Sequence, residues 1–239
     1  MKVLKFGGTS VGSAKNINNV ISILNSNSKP NKIICVVSAV GGITDKLLVA
    51  GNLAKNKDVG FSKVFDTIKQ IHMDIIKELI PDKNDSVLNF INDKLNILKS
   101  LLDGIYLINE LSPKTSDKLT SFGELLSSYI IAETMKNRGL SAKLKNSQEL
   151  VITNSNFTKA EIDYALTNKN IQDYFKSAKQ SVTILPGFIS SSKNGEQTTL
   201  GRGGSDFTAA IIAAALKVEQ LEIWTDVSGM FTTNPKLVK

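Results

Sequence analysis

With 239 residues and 41% hydrophobic content, the chain has material for one large α/β domain or two small ones, which excludes disorder as its default state. Its longest apolar stretch, Phe207 to Leu216, is about half of the roughly 20 residues that a bilayer requires, so no segment reads as a membrane span. The formal charge of +7 comes from scattered basic residues that are not interleaved with aromatics, which argues against a nucleic-acid partner.

Residues 2 to 6 form a short apolar run that ends in a glycine turn, which predicts a buried strand and leaves no room for the apolar core of a signal peptide. A cytoplasmic protein is expected. Ala14 to Leu24 carries apolar residues at helical spacing, and residues 32 to 38 read as a second buried strand. The single cysteine, Cys35, lies inside that strand; it can form no internal disulfide and suits a reducing compartment as a buried core thiol. This β-α-β opening favours a parallel sheet with a right-handed crossover. From Thr44 to Arg138 the pattern is mainly helical, with breaks at Pro81, Gly104 and Pro113, and reads as a helical insert of about residues 44–138. Its strongest helix is predicted to start near Thr115 and Ser116 and to close at Gly139.

Beyond the insert, strands are predicted near Ala142 to Leu144, Val182 to Leu185, Thr198 to Leu200 and Leu221 to Thr225, with helices at Lys159 to Leu166 and Asp206 to Lys217. Thr232 to Lys239 reads as a loop with no closing element, so the domain is expected to be cut short, a fragment of a longer chain.

Four motifs carry candidate chemistry. In Lys5-Phe6-Gly7-Gly8-Thr9-Ser10-Val11-Gly12, paired glycines let the backbone approach a ligand and present its amides, and a helix start follows, as an anion cradle requires. The glycine spacing fits neither the P-loop nor the dinucleotide fingerprint, which excludes a P-loop NTPase and a nicotinamide oxidoreductase. A tight strand-to-helix turn is the alternative, and Lys5, a charge in an apolar strand beside the glycines, favours the ligand site.

Gly201-Arg202-Gly203-Gly204-Ser205-Asp206 brings glycines, a guanidinium and a helix start together, a second anion site. The alternative is a glycine-rich hairpin turn with Asp206 as a helix cap. Of the 29 basic residues only Arg138 and Arg202 are arginines, so an arginine here points to a need for its planar fork. In Ser121-Phe122-Gly123-Glu124, a glycine inside a predicted helix implies a close approach, and Glu124 becomes a candidate for a cation such as an ammonium, although exposed helical glutamates are the norm. Trp224-Thr225-Asp226-Val227, at the carboxyl end of a predicted strand, suits a nucleotide ribose or base, or else an Asx turn that caps the strand.

In this order the motifs, together with Ser38-Ala39 and Gly42-Ile43-Thr44, resemble the amino acid kinase family and most closely its aspartokinase branch, over nearly the whole chain. The resemblance implies a three-layer αβα sandwich with a mainly parallel central sheet, one incomplete catalytic domain over residues 1–239, and transfer of the γ-phosphoryl of ATP to the β-carboxylate of L-aspartate. The product would be 4-phospho-L-aspartate, at the first step of lysine, threonine and methionine biosynthesis. By the same resemblance Lys5 would stabilise the phosphoryl in flight and Asp206 would hold Lys5. Gly7 and Gly8 would offer donors to the phosphates, with Phe6 and Ser38 beside them. Arg202 would grip the α-carboxylate and Glu124 the α-ammonium, Thr44 and Ser205 would orient the substrate, and Thr225, Asp226, Phe231 and Lys236 would line the nucleotide site.

Mg²⁺ would be carried mainly by the phosphates, with no protein metal site, and the intact protein is expected to be a homo-oligomer. No general base is needed, because the attacking carboxylate is already ionised at neutral pH, and His72, the only histidine, is read as structural. Phe231, Asn234 and Lys236 depart from the tyrosine, aspartate and arginine usual in the family. The family's catalytic domain continues past Lys239 and is followed by regulatory ACT domains, so this chain is expected to bind ATP weakly and to turn over poorly. The rivals are a kinase for glutamate or N-acetylglutamate, against which Glu124 speaks because it calls for a free ammonium, and a non-catalytic nucleotide sensor or oligomerisation module, against which Lys5 and Asp206 speak together.

Overall fold

Lys2–Phe6 (β1) and Ile33–Val37 (β2) are short apolar runs buried along nearly their whole length, as strands covered on both faces must be. In the computed structural model of the chain, residues 1–29, 31–82 and 85–225 are described. The two strands pair in parallel, joined by Ala14–Asn27 (α1), which starts where the Ser13 side chain accepts from the Asn16 amide. Such a cap contributes about 1 kcal/mol. Ala142–Leu144 (β3), Val182–Pro186 (β5) and Gln220–Trp224 (β8) complete a five-stranded sheet in the order β3-β5-β2-β1-β8, with every pair parallel.

Five helices fill the segment that follows β2: Ile43–Lys55 (α2), Phe61–Leu79 (α3), Asp85–Ile108 (α4), Pro113–Thr120 (α5) and Phe122–Asn137 (α6). The single helix predicted from Thr115 and Ser116 is instead two. Ser112 caps α5 by accepting from the Thr115 amide, with Pro113 in the first helical turn, a stronger start signal than the one read from the sequence. The chain then turns at Ser121, whose hydroxyl donates to the Lys118 carbonyl at 2.8 Å.

The helix predicted at Lys159 to Leu166 is also corrected. Tyr164–Ser177 (α7) begins where Asp163 Oδ1 accepts from the Leu166 amide, and the residues before it form an isolated bridge from Ile162 to Thr153. A second, three-stranded sheet orders Ile152–Thr153 (β4), Ile189–Ser192 (β6) and Gln197–Thr199 (β7), of which only β7 was expected. Gly204–Leu216 (α8) follows.

Two cores place the main sheet in the middle of three layers. Leu4, Phe6, Cys35, Val37 and Ile184 point to α1 and the inserted helices, whereas Val3, Ile34, Val36 and Leu185 point to α7 and α8. His72 and Cys35 lie wholly inside the first of these regions; burial pushes the Cys35 thiol far up and holds the His72 imidazole below its ordinary value. Among the described residues no helix is long and apolar enough to cross a membrane.

Candidate active site

Phe6, Val37 and Pro186 end β1, β2 and β5 side by side, so the loops that leave these strands converge at the carboxyl edge of the sheet. Ligands of open α/β sheets bind at this edge. A cleft of about 320 Å³ opens there, and Lys5, Gly8, Ser38, Thr44, Glu124, Arg202, Ser205 and Asp206 all line it. The two glycine motifs, far apart in the chain, therefore share one site.

Lys5 is 8% exposed, and its Nζ lies 2.7 Å from Oδ1 of the half-exposed Asp206. Asp206 reaches it from the first turn of α8; the cap of that helix is Gly203, whose φ of 75° suits a residue without a side chain. Asp206 is thus not the helix cap that the alternative reading made it. Ser205, also buried, packs where a Cβ on Gly187 would fall 2.6 Å from its own Cβ, so the chain after β5 must be glycine there. Arg202 is exposed at the cleft.

Glu124, in the first turn of α6, is 4% exposed. Burial pushes its carboxyl up from 4.5 to about 8, against the opposing pull of the Ala39 and Glu124 amides and the Lys5 charge. Its Oε2 has no hydrogen-bond partner. A Cβ on Gly123 would meet the Ala39 Cβ at 2.7 Å, so this glycine lets α6 reach the loop after β2, and Ser127 fastens the contact by donating to the Ser38 carbonyl at 2.7 Å.

Several residues fall elsewhere. The Gly7 amide donates to the Trp224 carbonyl at 3.3 Å, and Gly7 is not among the residues that line the cleft, whereas Gly8 is. A 3₁₀ turn over Thr9–Val11 separates the glycines from α1, so that helix does not start directly at the cradle. The Phe6 side chain is fully buried, stacks on Trp224 at 5.8 Å, and with Thr225 lines a second cavity of about 310 Å³ beside Thr9 and Asn16. Asp226, Phe231 and Lys236 lie outside the described residues.

Sequence reasoning passed over Phe188 and Asp45, which line the cleft, and Asp117, which is buried in α5. Phe188 holds a φ of 66°, a strained value for a residue of its size and a recurrent feature of functional sites, but one with no signature in the sequence.

A three-layer α/β fold thus gathers a lysine–aspartate pair, an arginine and a desolvated glutamate around one cleft. The family profile of the amino acid kinases matches residues 1–239, and the chain belongs to the amino acid kinase family. It is 36% identical to the lysine-sensitive aspartokinase 3 of Escherichia coli, over 99% of this chain and 51% of that protein, and 35% identical to the chloroplastic aspartokinase 1 of Arabidopsis thaliana, over 99% of this chain and 42% of that protein. The crystal structure of E. coli aspartokinase III in complex with aspartate and ADP superposes with a TM-score of 0.89 at 33% identity and covers 100% of this chain and 52% of that one. The chain spans about half or less of the length of these relatives.

Proposed function

We propose that the cleft phosphorylates L-aspartate, with the γ-phosphoryl of ATP passing to the β-carboxylate. The observation that carries this reading is the buried, unpartnered Oε2 of Glu124 in the same cleft as Arg202 and the Lys5–Asp206 pair. A buried carboxylate oxygen without a donor is strongly disfavoured, and an ammonium supplies both the charge and the hydrogen bonds that it lacks. Arg202 would hold the α-carboxylate with its planar fork, while Thr44 and Ser205 orient the side chain between them.

Lys5 would then neutralise the charge on the phosphoryl as it moves, and Asp206 would fix the Lys5 ammonium in line. Phosphoryl transfer needs little else from the protein than position and charge. Gly8 and Ser38 would border the phosphates, with the rest of the nucleotide reaching toward Phe6 and Thr225 and, by the family pattern, Asp226, Phe231 and Lys236. A divalent ion such as Mg²⁺, if carried in with the nucleotide, would supply further charge neutralisation beside Lys5. Of the three acidic side chains that line the cleft, Asp206 is engaged by Lys5 and Glu124 would face the ammonium, which leaves Asp45 as the one that could approach an ion carried on the phosphates. A reducing, cytoplasmic compartment suits the single buried Cys35.

An ATP-dependent hydroxamate assay with aspartate, glutamate and N-acetylglutamate in parallel tests the reading. Product from aspartate alone is expected. Product from N-acetylglutamate would contradict it, because that substrate has no ammonium for Glu124.

A further inference from the structure

Asp117 lies in α5, ahead of Glu124 in the chain, and belongs to none of the four motifs. The residue is 2% exposed, yet its carboxylate accepts from two distant segments. Thr199 Oγ1 donates to Oδ1 at 2.6 Å, while the amides of Thr199 and Thr158 donate to Oδ2 at 3.1 and 2.9 Å. Thr199 ends β7 and leads through Leu200 and Gly201 straight to Arg202. Thr158 backs the same loop: its carbonyl would stand 3.2 Å from a Cβ on Gly201, and the Ala160 amide donates to the Thr199 carbonyl at 3.0 Å.

Two further contacts flank Asp117 on the same face of α5, one turn to either side. Lys114 pairs with Glu196 at 2.7 Å, and Gln197 donates to Ser121 Oγ. The outer ion pair is partly exposed and contributes less; the buried carboxylate is the strong member, because charge-assisted bonds are shorter and stronger than neutral ones and leave costly buried amides when removed. Thus α5 is fastened to β7, α5 continues through Ser121 into the turn that holds Glu124, and β7 continues into the loop that holds Arg202.

We infer that Asp117 is a positioning residue that sets the separation between Glu124 and Arg202. It lines no cavity of the site and touches neither ligand; it acts through the two groups that would grip the ammonium and carboxylate of an amino acid, and to that extent rests on the reading above. Small displacements of such groups weaken binding and turnover by up to about a hundredfold.

The test is isothermal titration of the chain with L-aspartate and, separately, with MgATP. Asp117→Asn keeps the shape and one acceptor oxygen but removes the charge; it is expected to weaken aspartate by about tenfold or more and MgATP by no more than about twofold. Thr199→Val removes a single donor to Asp117, should shift aspartate in the same direction by less, and carries the test if Asp117→Asn fails to fold. The double variant should lose less than the product of the two single losses. Equal weakening of both ligands, or unchanged aspartate affinity with a lowered Tm, would overturn the inference and leave the amino-acid reading intact. No aspartate binding by the unsubstituted chain would overturn that reading itself, and this inference with it.

Discussion

Glu124 combines a buried carboxylate, a raised pKa and an oxygen without a partner, and these three facts have one consequence for pH. In the unfolded chain the group releases its proton near 4.5, whereas the empty fold holds it until about 8. Below 4.5 both states are protonated and the stability linked to this group is fully present; it is then lost as pH rises toward 8. His72 acts in the opposite sense, because its lowered value removes stability as pH falls below 6.5.

The difference between the parent chain and Glu124→Gln isolates the first effect. Calorimetric Tm of the parent is expected to fall relative to the variant between pH 5 and 8, and saturating aspartate should reverse the fall. The affinity for aspartate should itself rise with pH up to about 8, since only the ionised carboxylate attracts the ammonium. In steady-state kinetics Glu124→Gln is expected to raise the aspartate KM by about 10- to 100-fold and the ATP KM by less than about twofold, as loss of a charged hydrogen bond implies. Equal effects on both substrates would contradict the role. Little of this was legible: the sequence offered a glycine beside a glutamate, and only the fold reveals that α6 is buried nearly all round there.

At the scale of elements, Gly123 and Ala39 hold α6 against the loop after β2. A Cβ 2.7 Å from that of Ala39 cannot be accommodated without movement. Gly123→Ala is therefore expected to cost about 1–3 kcal/mol in chemical denaturation and to weaken aspartate, and adding Ala39→Gly should restore most of both. If the double variant recovers nothing, the two residues do not meet as described.

The elements that the sequence announced are those whose physics is local. β1 and β2 are short runs whose apolar residues are buried on both faces of the sheet, and α8 is a small apolar helix opened by glycines. The hairpin of β6 and β7 was half missed because Ser190, Ser192, Thr198 and Thr199 are polar yet buried: Ser190 and Thr198 bond each other, Ser192 donates to Glu196 and Thr199 to Asp117. Likewise α7 buries only Thr167, Ile171 and Phe175, too sparse a stripe to signal a helix. Asp117 and Thr199 stand 82 residues apart, a partnership that no local pattern encodes.

For the molecule as a whole, the parallel order of the sheet does the positioning. With β1 between β2 and β8, and β5 beyond β2, the glycine loop after β1, the loop after β2 and the start of α8 come to one edge, where Lys5 meets Asp206. The candidate site was legible as a set of motifs because glycines, a lone arginine and a strand lysine are conspicuous. Its partition was not, since only the fold separates Gly8, in the cleft, from Gly7, bound to Trp224, and sends Phe6 and Thr225 to a second cavity.

A crystal structure of the chain soaked with L-aspartate tests the central claim most directly. The ammonium is expected within about 3 Å of Glu124 Oε2, the α-carboxylate on Arg202 and the β-carboxylate turned toward Lys5. Aspartate bound with its ammonium away from Glu124, or bound outside this cleft, would contradict the account.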